Sequence, residues 1–234
     1  MTEGKSARQW NDDMVTRATE AFAEHEMELL GPGHWRLQAP NHTCHWTEIV
    51  VMGGNAALSV WGDIDSCTFA YCSGAKSPEA VVAWMANADV GYYGHQKAVI
   101  GMGRDGGADE YKAEVAIHEL HERLVNAEEE FGDEWDIPRT IRSSSGEYKL
   151  SPKIEYTDAI EDAIQAFEND YHHMAIKHQL LEDLQHVDQD AWEWVGDIGK
   201  VTSCRVIYAL MAIRRLWELI QAADVAAAGE EKTP

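Results

Sequence analysis

The apolar residues of this chain change their period twice along its length, and that change limits what it can fold into. Over residues 6–30, Trp10, Met14, Ala18, Ala21, Phe22, His25 and Leu29 recur at the spacing of one helical face. Gly31-Pro32-Gly33 then stops the pattern. From residue 35 to residue 72 the period is that of strands. Short runs at 35–37, 46–52, 57–61 and 68–72, with Ile49-Val50-Val51 at the centre of the second, predict an antiparallel meander. Gly53-Gly54-Asn55 supplies one turn.

The helical period returns at Ser77-Pro78-Glu79, where serine is placed to cap and proline to open a helix that runs to about Ala88. A short helix over 91–100 and a loop over 101–107 follow. Ala113, Ile117, Leu120, Leu124, Ala127 and Phe131 mark the stripe of a helix over 109–131. Ile160, Ala163, Ile164, Phe167, Tyr171, Met174, Leu181 and Leu184 mark a long one over 157–187, with His178 on the same stripe. A last helix over 201–223 is apolar almost all round, which suits a central position, with Arg205, Arg214 and Arg215 pairing with acidic neighbours. The fold expected is α+β. A small antiparallel sheet of three to four strands, about residues 35–72, packs with helices, and the C-terminal half is helical. Pro138, Ser143-Ser144-Ser145-Gly146 and Pro152 make 136–152 a loop or hinge between 1–135 and a helical lobe at 153–225, with 226–234 a disordered tail. Trp35, Trp61, Phe69, Trp84, Trp192, Tyr208 and Trp217 are expected in or near the core.

The net charge is −22, and its distribution is uneven. Residues 105–136 hold 12 acidic residues against Lys112 and Arg123, and residues 155–197 hold another 12 against Lys177 alone. Direct nucleic-acid binding requires a basic face that displaces counterions, so the partners expected are basic surfaces or metal cations. Carboxylates on successive helical turns lie roughly 5–6 Å apart and imitate part of a phosphate track. The residues expected to form such a binding surface are Glu114, Glu122, Glu128, Glu129, Glu130, Asp158, Glu161, Asp162 and Glu168. The four cysteines show no disulfide-framework spacing and read as reduced thiols of a cytoplasmic protein. No apolar run reaches the roughly 20 residues of a membrane span, and residues 1–10 carry no signal-type apolar segment.

Motifs with chemistry are few. Residues 101–106 match G-x-G-x-x-G, but Asp105, Asp109 and Glu110 would repel a pyrophosphate there. Glu114, His118, His121 and Glu122 share one helical face without forming H-E-x-x-H. His172, His173, His178 and His186 stud the long acidic helix, and His34, His42, Cys44, His45, Cys67 and Cys72 fit no zinc-finger spacing. Asp63 and Asp65 read as turn aspartates. No cofactor, metal or catalytic residue is expected, and a non-enzymatic role is favoured.

His34–Pro40 (HWRLQAP), Leu58–Tyr71 (LSVWGDIDSCTFAY), Gly91–Ala98 (GYYGHQKA), Asp190–Val195 (DAWEWV) and Cys204–Leu216 (CRVIYALMAIRRL) occur in an order that resembles a family of uncharacterised phage and prophage proteins. That resemblance covers residues 34–220 in patches and leaves out residues 105–136. It implies a viral or mobile-element origin, action in the host cytoplasm, and no particular reaction. By analogy with small acidic phage proteins, it implies an anti-defence role: a non-enzymatic inhibitor of a CRISPR or restriction effector, bound through acidic, DNA-mimic-like surfaces. A homodimer is compatible with these features. The alternatives are a metal-dependent hydrolase using His118 and His121, or His172, His178 and His186, and a phage structural or assembly factor.

Overall fold

The computed structural model describes residues 4–40, 46–63, 65–70, 75–87, 89–90, 99–102, 109–132, 135, 137–143, 146–169 and 172–230. The fold is α+β. In chain order its elements are α1 (Ala7–Phe22), β1 (Glu26–Gly31), β2 (His34–Gln38), β3 (Trp46–Met52), β4 (Ala57–Gly62), β5 (Asp65–Ala70), α2 (Pro78–Ala86), β6 (Val99–Met102) and β7 (Asp109–Tyr111). Then come α3 (Ala113–Phe131), β8 (Arg139–Ser143), β9 (Gly146–Leu150), α4 (Pro152–Asn169), α5 (His173–Leu184), α6 (Ala191–Val195), β10 (Lys200–Thr202) and α7 (Cys204–Glu230).

β1 to β6 form one antiparallel sheet in sequence order. Its alternation follows from the register. Trp35 faces Ile49, Ile49 faces Val60 and Val60 faces Cys67, all four buried on one side. A slip of one residue would turn that whole row to the other face. Helices α1, α2 and α7 contribute Phe22, Val81, Met85, Ile207, Leu210 and Leu216 to the same core. Ser77 caps α2 as expected, its Oγ accepting from Ala80 N–H at 3.2 Å. Of the three arginines on α7, Arg215 pairs with Glu218 at 3.4 Å, while Arg214 donates to the carbonyl of Ala86 at 3.0 Å.

The chain divides into two compact units. The sheet unit comprises residues 8–110 and 201–234, and the helical unit comprises residues 1–7 and 111–200. The helical unit has its own core of Leu120, Tyr156, Ile160, Phe167, Ile176, Leu180 and Leu184, contributed by α3, α4 and α5, together with Trp135 after α3. Helix α7 returns to the sheet unit, so the observed division interleaves along the chain instead of falling at 136–152. Most of that expected hinge is a hairpin, with Thr140 paired to Lys149 and Ile141 to Tyr148.

Other elements also differ from expectation. The first helix ends at Phe22, and Glu26–Gly31 is a sixth-strand partner to β2, with Met27 opposite Leu37. Pro32 and Gly33 turn a hairpin there. Gly33 has φ of 71°, which a type II turn requires at its third position. The sheet therefore has six strands, and β6 takes residues 99–100 of the expected helix at 91–100 and residues 101–102 of the expected loop, while residues 91–98 lie outside the described ones. Residues 109–111 are strand, and α3 starts at Ala113. In place of one long helix there are α4, ending at Asn169, and α5, starting at His173, with the His172 backbone outside the helical region. After that break the buried stripe is reset to Ile176, Lys177, Leu180 and Leu184. Met174 and His178 consequently point outward, and His178 is 75% exposed against Glu182. Trp192 is 67% exposed, because Ala191 and Val195 are the positions that α6 buries. Residues 226–230 of the expected tail continue α7, in keeping with the high helix propensity of Ala226, Ala227 and Ala228, and residues 231–234 lie outside the described ones.

Candidate protein-binding surface and adjoining cleft

Within residues 111–200, 22 acidic residues stand against 8 basic ones, so the helical unit carries most of the chain's excess charge. Helix α4 shows how the sequence places it. Tyr156, Ala159, Ile160, Ala163, Ile164 and Phe167 are drawn into the core. That turns Asp158, Glu161, Asp162 and Glu168 outward together, at spacings of three, four and seven residues or so. Among the described residues no ion pair joins any of these four to a base. On α3, Glu114 and Glu129 are exposed, and Glu122 is exposed beside His118 at 3.5 Å. The side chains of Glu128 and Glu130 lie outside the described ones.

Helix α3 also forms a wall of a cleft of about 400 Å³, lined by Glu119, Glu122, Arg123 and Asn126, with Trp194 and Ile198 opposite. The buried Asp188 fixes the indole, accepting from Trp194 Nε1 at 2.9 Å. The Arg123 guanidinium lies over the ring at 4.4 Å from its centroid, a cation–π contact. Glu119 accepts from the N–H of Gly199 at 2.8 Å. Burial holds its carboxyl above the ordinary range; the Gly199 N–H opposes this, nearby Glu122 adds to it, and His118 and Lys177 oppose it. Lys177, only 7% exposed, donates to the Gly196 carbonyl at 3.2 Å and lies 5.2 Å from the Tyr111 ring centroid. Burial lowers its pKa, Lys200 lowers it further, and Asp197 and Glu119 counter that. Tyr111 stacks on His173, centroids 4.2 Å apart.

A carboxyl held above its ordinary pKa binds its proton more tightly in the folded state than in the unfolded chain. The stability it contributes is then fully present below the ordinary carboxylate pKa of about 4.3, and is lost as pH rises through the folded-state value. Glu119→Gln should therefore flatten the decline in stability of the helical unit on going from mildly acidic to neutral pH. Urea unfolding of both proteins across that window checks it, and an unchanged pH profile would show that Glu119 titrates as a solvated carboxylate.

The other residues singled out by sequence do not assemble into one site. His118 sits by Glu122, His178 by Glu182, His173 on Tyr111, and His172 and His186 are exposed. Among the described residues no group of three or more His, Cys, Asp or Glu side chains is placed to hold a metal ion. His34 pairs with Glu48 and Cys67 is buried, whereas His42, Cys44, His45 and Cys72 lie outside the described residues. So do residues 103–106 of the glycine motif, and Gly101-Met102 belong to β6. Asp63 does serve the turn, accepting from Trp46 N–H at 2.9 Å. No described helix is long and apolar enough to cross a membrane.

Sequence reading missed Glu119, Arg123, Trp194, Asp188 and Lys177 as a connected set. One signal was present: Lys177 is the single Lys or Arg within residues 155–197, a cation among twelve carboxylates. Comparison of the whole chain with known protein families, curated proteins and solved structures gives no match.

Proposed function

We propose that the helical unit binds the basic, nucleic-acid-contacting face of another protein through the carboxylates of α4 and α3. The observation that supports this most is the row of Asp158, Glu161, Asp162 and Glu168, exposed together and without a counter-charge among the described residues. A surface whose carboxylates are already paired gains little from a basic partner. An uncompensated row steers such a partner in from a distance and fixes its register on arrival. DNA offers one charge per roughly 1.7 Å of axis, and a helix face with a carboxylate every turn matches that track only in part. The partner is then a protein evolved to hold nucleic acid, and the binding is competitive with its DNA or RNA. The phage-type resemblance narrows this partner to a host defence effector and makes the protein its non-enzymatic inhibitor in the host cytoplasm.

A pull-down of the tagged protein from a host lysate at low and high salt, with mass spectrometry of the retained proteins, tests the reading. A nucleic-acid-binding complex retained at low salt and released at high salt is expected, because exposed charge is screened within about 10 Å at 0.1 M salt. Reversal of Asp158, Glu161 and Asp162 to lysine should weaken that binding at least tenfold while leaving the unfolding midpoint nearly unchanged. An unaltered affinity in the triple variant would remove the electrostatic basis of the proposal.

A further inference from the structure

The sheet unit carries a second, chemically different surface. One face of the sheet is covered by helices, and the register specifies what the other face displays. Glu28 stands opposite Arg36, Arg36 opposite Glu48, Glu48 opposite Trp61 and Trp61 opposite Ser66, a row across five strands. The neighbouring row runs from Glu26 to Gln38 to Trp46. Thr47, Ile49, Leu37 and Val60, one residue out of step with these, are buried on the core side.

The polar groups of this face are held in place. Arg36 Nε and Nη2 donate to Glu48 Oε1 at 3.2 and 2.7 Å, and Nη1 donates to Glu28 Oε2 at 3.4 Å. His34 Nε2 lies 2.9 Å from the other Glu48 oxygen, and its ring is 6.0 Å from that of Trp61. Trp46 is pinned through its backbone, donating to the Asp63 carboxylate at 2.9 Å and accepting from Asp63 N–H at 3.1 Å. Arg36, Gln38, Trp46 and Glu48 together line a hollow of about 220 Å³.

We propose that this hollow is a binding site for one ring of a neutral saccharide. The indole of Trp46 offers a flat apolar surface for the C–H face of a sugar ring. Around it stand an exposed amide that both donates and accepts, a guanidinium with N–H groups left over, and a carboxylate that accepts. Vicinal hydroxyls, each a donor and an acceptor, complement that alternation. The hollow is smaller than the roughly 300–1,000 Å³ of pockets that enclose drug-sized ligands, which suits a single ring bound at the surface. Charge decides between a sugar and a stacked nucleotide. Glu28 and Glu48 already hold the Arg36 guanidinium and Glu26 stands in the neighbouring row of the same face, so a phosphate would meet net repulsion while a neutral hydroxyl meets acceptors.

The test is a glycan array of neutral hexose and N-acetylhexosamine oligomers probed with the full-length protein. Titration of the best oligomer by tryptophan fluorescence and calorimetry follows, with the oligonucleotide dT10 as the charged competitor. Saturable binding of a neutral oligomer is expected, with dT10 failing to compete. Trp46→Ala and Gln38→Ala should each lower affinity at least tenfold. Gln38 is exposed, so its variant keeps the fold and keeps the test decisive if Trp46→Ala unfolds. No binding on the array, undiminished affinity in Gln38→Ala, or binding of dT10 at the same site would each overturn the proposal.

Discussion

Tyr156→Ala should lower the stability of the helical unit by about 3–5 kcal/mol, the range for truncating a fully buried large aromatic side chain. Tyr156 is 0% exposed, and its ring meets Trp135 and Phe131 edge-on at 5.2 Å each, while those two stack on each other at 4.6 Å. Removing the central ring leaves a void whose walls are the other two aromatics, held by α3 and by the residues that follow it. Such walls collapse poorly, so the cavity cost adds to the lost transfer energy. Edge-to-face pairs contribute about 0.5–1.5 kcal/mol each beyond their buried area, and two of them go at once. Urea unfolding followed by tryptophan fluorescence measures the effect, since Trp135 reports directly on the site. Trp192→Ala is the internal control: at 67% exposure it should change stability by less than about 0.5 kcal/mol. A loss below about 1 kcal/mol in Tyr156→Ala would mean that the aromatic trio is not the centre of this unit's core.

Local chemistry accounts for much of what the sequence made legible. The meander at 35–70 could be read because short runs rich in β-branched and aromatic residues recur there and turn residues punctuate them. Ser77-Pro78 announced α2 with a capping geometry that the structure contains. Reading ran out where a distant partner decides. Glu26–Gly31 has a helical pattern in isolation and becomes strand because β2 offers it Met27–Leu37 and Leu29–Trp35 pairs. The division of the chain was illegible because α7, which begins only at Cys204, belongs to the same core as the sheet formed near the start of the chain. Part of the acidic surface was readable from charge spacing alone, and α4 turns Asp158, Glu161, Asp162 and Glu168 outward as a periodic helix must. The Glu119 cleft was not readable, since Gly199 and Glu119 are 80 residues apart and nothing local links them.

Gly199→Ala should cost the helical unit about 2–4 kcal/mol, combining a left-handed backbone with an overpacked site. The residue has φ of 72°, where an L side chain is disfavoured. A Cβ there would lie 2.6 Å from Tyr111 Cε2, 2.9 Å from Ala116 Cβ and 3.0 Å from the Lys112 carbonyl oxygen. None of these neighbours yields easily. The Tyr111 ring is sandwiched against His173 and Phe167, Ala116 is on the buried face of α3, and the third is backbone. The peptide groups around Gly199 tie the cleft together as well, donating to Glu119 on one side and accepting from Lys112 N–H at 2.8 Å on the other. Displacing them removes the one contact that most opposes the rise in the Glu119 pKa, so the pH dependence assigned to Glu119 should steepen in the variant that still folds. Gly199→Asn separates the two causes. Asparagine tolerates positive φ better than alanine but carries the same Cβ. If packing dominates, the asparagine variant loses nearly as much stability as the alanine one, and Tyr111→Leu restores part of the loss in both. If asparagine recovers most of the loss by itself, backbone conformation governs this turn and the close approach of Tyr111 to Gly199 does not.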